Sequence, residues 1–199
     1  MGETIATTTG SEGNHRPTSL RDVSVGAHVD PRLFAFYAIV VTIQGIHVFE
    51  HIVQLIQVFV LGIPEKDALG LLGYVFRIQG TEEWLHLVFN TAYVISLIAI
   101  AWGFFLSPGA RAIVPAWALA AFLVFGVGLE LWHVNEHIVI ISNVIANNGC
   151  PCPGILDERL NVSDTVLHFF YNATAYAGTV PPFVFLVRHR LADDEAGSR

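Results

Sequence analysis

A short pattern of histidine and glutamate occurs twice in this chain. Residues 47–51 read HVFEH and residues 133–137 read HVNEH, and both copies lie inside long apolar runs. Each copy is followed by a second apolar run that begins with Leu-His-x-x-x-Asn, at 85–90 and again at 167–172. Histidine and glutamate are costly to place in hydrocarbon, so this repeat predicts a bound metal or a proton-handling site.

The spacing within each copy suits metal coordination. Residues four apart lie on one face of a helix, so His-x-x-x-His offers two imidazoles to one metal from adjacent turns. The Glu-x-x-His spacing of bundles that hold two irons or two manganese ions also occurs twice. Six histidines with nearby carboxylates suit two metal ions better than one. The expected metal ligands are His47, His51, His86, His133, His137, His168, Glu130 and Glu83.

Further polar side chains are expected to act beside these ligands. Glu50 and Glu136 are predicted to bridge metals, shuttle protons or orient an imidazole. Like Glu130, they lie in apolar runs without lysine or arginine, so each is either protonated or neutralised by a bound cation. Tyr93 and Tyr176 are candidate proton or electron donors, although packing is their more ordinary role. Glu50, Glu136, Tyr93 and Tyr176 are therefore the catalytic candidates.

The elements that must position these residues are apolar helices. The chain has 199 residues, of which 53% are hydrophobic and 14% charged, and its mean hydropathy is +0.56. Four apolar runs, at 33–61, 81–106, 113–146 and 163–187, are each long enough to cross a hydrocarbon core of about 30 Å. These features predict an all-α integral membrane protein that forms a four-transmembrane-helix bundle.

The repeat predicts how the bundle is organised. Two helical hairpins, 33–106 and 113–187, are expected to be related by pseudo-two-fold symmetry inside one membrane domain, 31–190. The polar ends, 1–30 and 191–199, are expected to be disordered tails. Arginine is concentrated at the two ends and between the second and third runs, which predicts a multi-pass protein of the cell membrane with both termini cytoplasmic. The chain has no basic cluster, so no nucleic-acid partner is expected.

Both cysteines of the chain lie in the loop before the fourth run. Cys150 and Cys152 are separated by one proline. A disulfide between residues two apart is strained, so the pair could instead bind a soft metal, act in redox chemistry, link to another chain or be two ordinary loop thiols. The sequence leaves these roles open.

The leading functional hypothesis is a membrane-bound, metal-dependent oxidoreductase. Imidazole together with carboxylate suits iron, with copper, manganese or zinc as alternatives. Two such ions would act on an apolar or lipid substrate from the bilayer, with an electron donor protein and, as an option, a homodimeric assembly. The chain is similar to the histidine-box membrane desaturases and hydroxylases in placing histidines on apolar helices. It lacks their His-His pairs, so no family is assigned.

Three alternatives remain open at this point. A b-type haem protein for electron transfer needs two axial histidines, which leaves several histidines unused. A metal or proton transporter, or a metal sensor, would use the same residues, but the runs 94–106 and 113–129 contain almost no polar side chain for an exit path. A hydrolytic zinc site would share these ligands and needs an open, water-fed position.

Overall fold

The fold is described from a computed structural model that covers residues 29–76, 82–147 and 154–197. Within these ranges every regular element is helical and there is no strand, which confirms the all-α prediction. Residues 1–28 of the expected tail 1–30 and both cysteines lie outside the described residues. The α-helices are α1 Pro31–Leu55, α2 Gly70–Phe76, α3 Glu82–Leu106, α4 Pro108–Ile113, α5 Ala116–Ala121, α6 Leu129–Ala146, α7 Ile155–Leu160 and α8 Asp164–Gly197.

Three of the described helical segments are long and apolar enough to cross a membrane. They are Pro31–Val60, Trp84–Leu106 and Ala116–Ala146, and they indicate a membrane protein. The first includes the π-helical turn Ile56–Val60, and the third joins α5 to α6 through the π-helical segment Phe122–Gly128. The predicted fourth run is helical in α8 but more polar than these three, and it is not among them.

The helix ends follow local chemistry. The Asp30 side chain accepts a hydrogen bond from the Arg32 amide at 2.8 Å, and Pro31 occupies the first turn of α1. Gly62, which has a φ of 67°, follows the end of this helix, as the sequence predicts.

Two boundaries differ from the prediction. The third run is interrupted at Val114, which is extended because Pro115 disfavours helical geometry in the residue before it. The helix α8 continues to Gly197, so residues 191–197 are helical rather than part of a disordered tail. Strong helix formers in this stretch and a contact of 3.2 Å between His189 Nε2 and Asp193 Oδ2 account for the extension.

Helix packing brings the polar segments of the chain together. The helix α1 packs along α8 and α3, α3 packs against α6, and α8 packs against Phe122–Gly128. The last contact is close, because a Cβ atom on Gly178 would lie 2.8 Å from the Ala121 carbonyl oxygen. Small residues allow such close approach of apolar helices.

Buried and exposed residues are arranged differently along the helices. One region is a dry core that includes Tyr37, Leu97 and Phe122. In the other region the buried side chains are polar, whereas apolar residues such as Ile46 and Val88 are 53% and 66% exposed. Polar residues inside and apolar residues outside are the pattern expected of helices in hydrocarbon. The buried polar region contains the candidate functional site.

Candidate metal centre

The structure brings together the imidazoles of the first repeat copy. His47 and His51, one turn apart on α1, are buried, and their Nε2 atoms lie 3.2 Å apart. The Oε1 atom of Gln54 is 2.7 Å from His51 Nδ1. An amide oxygen accepts a hydrogen bond, so this contact places the ring proton on Nδ1, and the lone pair on Nε2 faces both His47 and the Asn172 amide nitrogen, which lies 3.1 Å away.

The second copy forms a denser group. Nε2 of His137 on α6 is 3.2 Å from Nε2 of His133 and 3.1 Å from Nε2 of His168 on α8. Nδ1 of His168 lies 3.0 Å from the Asp164 carbonyl oxygen and 3.0 Å from its Oδ1 atom. These acceptors place the His168 proton on Nδ1, which leaves its Nε2 atom available as a ligand.

Hydrogen bonds alone do not explain why the Nε2 atoms of His133 and His168 both lie close to Nε2 of His137. A ring nitrogen carries either one proton or one in-plane lone pair. The Nε2 atom of His137 can therefore make a hydrogen bond to His133 or to His168, but not to both. Two nitrogens bound to one metal at about 2.0–2.1 Å lie roughly 3.0–3.4 Å apart, depending on the coordination angle. The observed separations fall in that range.

His86 on α3 lies between the two groups. Its ring centroid is 5.7 Å from that of His51 and 5.6 Å from that of His137. Candidate ligand atoms of His86, His137 and His168 all lie within 4.8 Å of one another, so these three could hold a metal ion. Its buried Nδ1 atom has no hydrogen-bond partner among the described residues. The six histidines of the predicted ligand set therefore lie in one continuous cluster.

The carboxylates of the predicted ligand set are placed differently from the imidazoles. Glu130 is fully buried, and its Oε1 atom lies 3.6 Å from His133 Nδ1, whereas His133 meets the other histidines through Nε2. Neither Glu130 oxygen has a hydrogen-bond partner within the part of the chain that the structure covers. The separation of 3.6 Å is longer than a hydrogen bond, so Glu130 lies on the Nδ1 side of His133 without a hydrogen bond to it. The side chain of Glu83 lies outside the described residues.

The two catalytic candidates Glu50 and Glu136 contact loop helices. The amide of Leu72 donates a hydrogen bond of 2.7 Å to Glu50 Oε1, at the start of α2. The amides of Ile155 and Leu156, at the start of α7, donate hydrogen bonds of 2.6 and 3.1 Å to Glu136. Exposed amides at a helix start favour a carboxylate partner. Each glutamate therefore anchors a loop helix beside the cluster, and a catalytic role for either stays a prediction.

The two tyrosine candidates lie towards the dry core. The hydroxyl of Tyr93 is 3.0 Å from Thr179 Oγ1, and the hydroxyl of Tyr176 packs against Gly45, where an added Cβ would approach it to 3.0 Å. These contacts position the tyrosines in packing between helices. Their role as proton or electron donors stays a prediction.

Aromatic side chains stack on a histidine of each copy, which the sequence interpretation missed. Phe89 stacks on His47 with ring centroids 4.1 Å apart, and Tyr171 stacks on His133 at 4.8 Å. Both aromatic residues stand three positions after the histidine of the second apolar run, so the repeat itself contained the signal.

A cavity opens beside the first copy. It has a volume of about 310 Å³ and lies between α1, α2 and α3. Its walls are mostly apolar side chains such as Ile46, Leu72 and Leu85, and it reaches His47 and His86.

The loop after the first membrane-length segment is tied to the start of α8. Glu65 accepts hydrogen bonds from the Ser163 hydroxyl and, at 3.0 Å, from the Thr165 amide. Partial burial raises the pKa of the Glu65 carboxyl, but these hydrogen bonds outweigh it, so the net pKa is lowered. The carboxylate form therefore stabilises this junction.

No known protein family, curated protein or solved structure matches the chain. The fold and the cluster define it only as a helical protein with membrane-length helices and several histidines that could bind a metal. Any more specific function must be inferred from the chemistry of the site.

Proposed function

We propose that this chain is a membrane-embedded metalloprotein that holds two transition-metal ions and acts as a non-haem iron oxidoreductase on an apolar or lipid substrate. One observation carries the proposal. The Nε2 atom of His137 lies 3.2 Å from that of His133 and 3.1 Å from that of His168, two contacts that one proton cannot satisfy, and candidate ligand atoms of His86, His137 and His168 lie within 4.8 Å of one another.

Two ions fit the ligands better than one. The group His86, His137 and His168 offers three imidazole nitrogens, and His133 adds a fourth that lies 3.2 Å from His137. The pair His47 and His51 offers two more nitrogens at a separation that one metal can bridge. Six nitrogens exceed the four ligands of a tetrahedral ion, so the surplus supports a second ion.

Iron is the metal that fits these ligands best. Neutral imidazoles with a nearby carboxylate suit iron, whereas thiolate ligands would favour zinc or copper(I). Glu130 supplies that carboxylate on the Nδ1 side of His133. Copper, manganese and zinc are the alternatives that the experiment below distinguishes.

The proposed architecture is a four-helix bundle of two hairpins with pseudo-two-fold symmetry. Corresponding residues making corresponding contacts support it: Glu50 and Glu136 each anchor a loop helix, and Phe89 and Tyr171 each stack on a histidine. In this arrangement α8 is the fourth span. The arginine distribution supports two cytoplasmic termini in the cell membrane, where an electron donor protein and a second copy of the chain could bind.

The other functional readings fit these contacts less well. Axial ligands on opposite faces of one haem iron are about 4 Å apart, because each iron–nitrogen bond is about 2 Å. The Nε2 separations of 3.1 and 3.2 Å are shorter than that. A transporter needs a polar exit path, whereas the region beyond the cluster is filled by buried side chains such as Leu97, Ile100 and Phe122.

Elemental analysis of the detergent-purified full chain tests the proposal. Wild-type protein should contain about two iron atoms per chain, as expected of a dinuclear site. The double variant His133→Ala, His137→Ala should lose them, while His189→Ala, which removes a histidine of α8 outside the cluster, should keep them. Circular dichroism of each sample checks that the helices remain. Zinc alone, or no metal in the wild type, would overturn the proposal, and a Soret band would favour haem.

A further inference from the structure

The cavity between α1, α2 and α3 has features of a binding site for an apolar molecule. It is lined mainly by aliphatic and aromatic side chains, and its lining, as far as the described residues go, includes no lysine or arginine. A volume of about 310 Å³ is at the lower end of the usual range for small-molecule pockets.

The surroundings of the cavity determine what can enter it. Ile43 and Ile46 line the cavity and are 48% and 53% exposed on α1, a helix long enough to cross a membrane. Leu85 on α3 lines the other side and is 46% exposed. In a bilayer these side chains face hydrocarbon, so the cavity communicates sideways with the lipid phase.

The inner end of the cavity is part of the histidine cluster. His47 and His86 line it, and the buried Nδ1 atom of His86 lacks a hydrogen-bond partner among the described residues. Glu50 also lines it, but its Oε1 atom already accepts hydrogen bonds from the amides of Leu72 and Gly73. A ligand that enters from the lipid would therefore meet His47 and His86 at the inner end of the cavity.

We propose that this cavity binds one alkyl chain of a bilayer-soluble substrate. The chain enters between α1 and α3 beneath α2, and the part of the substrate that reacts lies beside His86 and His47. The reactive role rests on the function proposed above, whereas the binding of the alkyl chain stands on the cavity alone.

Photolabelling tests this site in the full chain reconstituted in lipid nanodiscs. The probe is a palmitate analogue with a diazirine at its methyl end, and labelled residues are located by mass spectrometry. Labels should concentrate on the segments 43–54, 69–73 and 85–89. Ile46→Trp and Leu85→Trp, which fill the cavity from two different helices, should each reduce this labelling by about tenfold or more.

Matched controls come from the same helices. Ile39→Trp on α1 and Val88→Trp on α3 place the same large side chain at exposed positions outside the cavity lining, and they should leave the labelling unchanged. Circular dichroism and metal content are measured on every sample. A cavity variant that loses labelling but keeps its helices and its metal supports the proposal directly.

The outcomes separate this site from the metal centre. Even labelling of all lipid-facing surfaces by a metal-loaded wild type overturns the cavity proposal and leaves the metal centre standing. Labelling that stays equal in the cavity variants and the control variants also overturns it. Focused labelling of a wild type that binds no metal supports the cavity and removes the proposed oxidoreductase function.

Discussion

The two copies of the histidine pattern share their histidines but differ in the residues around them. Three positions before the first histidine of each copy stand Gln44 and Glu130. The Gln44 amide donates a hydrogen bond of 2.9 Å to Asn172 Oδ1, whereas Glu130 lies 3.6 Å from His133 Nδ1 and has no hydrogen-bond partner in the described ranges. One copy therefore has a neutral amide that is hydrogen-bonded through its nitrogen, and the other has a buried carboxylic group.

The copies also differ in how they are closed on the lipid side. Ile46 of the first copy corresponds to Trp132 of the second, and Phe89 corresponds to Tyr171. Trp132 Nε1 donates a hydrogen bond of 3.0 Å to the Tyr171 hydroxyl, which in turn donates one of 3.3 Å to Glu136. A cavity lies beside the first copy, and a hydrogen-bonded pair of aromatic side chains lies beside the second. The same pair of histidines can thus serve different tasks. The first copy lies beside a cavity, and the second lies beside a buried carboxylic group.

The largest expected effect distinguishes the two histidine groups. His137→Ala removes the nitrogen that contacts both His133 and His168, whereas His47→Ala removes one member of a pair. We expect metal content to fall to nearly zero in His137→Ala, because the two nitrogens of His47 and His51 are too few to hold an ion by themselves, and to about one ion per chain in His47→Ala, because the second group keeps its ligands. Elemental analysis of matched preparations measures this. Equal losses in the two variants would show that the copies act as a single unit.

Replacing the buried acid of the second copy with the amide found in the first copy should have the next largest effect. Glu130→Gln is expected to lower metal affinity about 10- to 100-fold, as removal of a carboxylate behind a ligating imidazole usually does. The metal-free protein should not become less stable, because the Glu130 oxygens have no described hydrogen bond to lose. Titration with iron(II) and thermal unfolding of the apo protein measure both quantities.

The same exchange offers a control in the other direction. Adding Gln44→Glu to Glu130→Gln restores the carboxylate to the chain but in the first copy. Metal affinity should stay low, since the new carboxylate would lie beside Asn172 and not beside His133. Full recovery of affinity would mean that the two positions are interchangeable and that the difference between the copies has no role in binding.

A smaller difference is expected between the two glutamates that anchor loop helices. Glu136 accepts hydrogen bonds from two amides and a tyrosine hydroxyl, whereas Glu50 accepts one short and one longer amide hydrogen bond. Glu136→Ala should destabilise its loop by about 1–3 kcal/mol, and Glu50→Ala by less. Hydrogen exchange at residues 155–156 and 72–73 reports each loop separately. Faster exchange throughout the chain would contradict a local effect.

The smallest effect concerns the contact that joins the two halves outside the cluster. Glu65 of the first half accepts hydrogen bonds from Ser163 and Thr165 in the second, and its pKa is lowered. Its stabilisation is present at neutral pH and is lost as pH falls through that lowered pKa. Because the side chain is largely exposed, Glu65→Gln should cost only roughly 0.5 kcal/mol at neutral pH. Thermal unfolding should show this difference shrinking as the solution is acidified.

Local sequence rules predicted much of what the helices contribute. The first long helix ends just before Gly62, and α3 ends before Ser107, because glycine geometry and the Ser-Pro pair act within one or two residues. The spacing of His47 and His51 gave their shared face, because four residues are close to one helical turn. The break at Pro115 was missed, although proline is itself a local signal, because apolar residues continue on both sides of it.

Contacts between distant segments were not predictable in the same way. The amides that meet Glu50 and Glu136 come from loop helices about 20 residues further along the chain. The cavity is lined by Ile46 and Leu85, which come from different helices, and in the other copy Trp132 and Tyr171 are joined by a hydrogen bond between different helices. The sequence around Ile46 or around Leu85 alone therefore does not predict the cavity.

The amino-acid sequence by itself determined an all-helical chain of membrane-length apolar segments and the face on which each histidine lies, since helical periodicity and hydrophobicity are properties of neighbouring residues. Only the tertiary structure decided that His137 meets both His133 and His168, that Glu130 lies behind an imidazole, and that one copy is open to a cavity. The physical reason is that nitrogen-to-nitrogen distances depend on how helices rotate and shift against one another. That adjustment is set by the close packing of whole side chains, which no local pattern encodes.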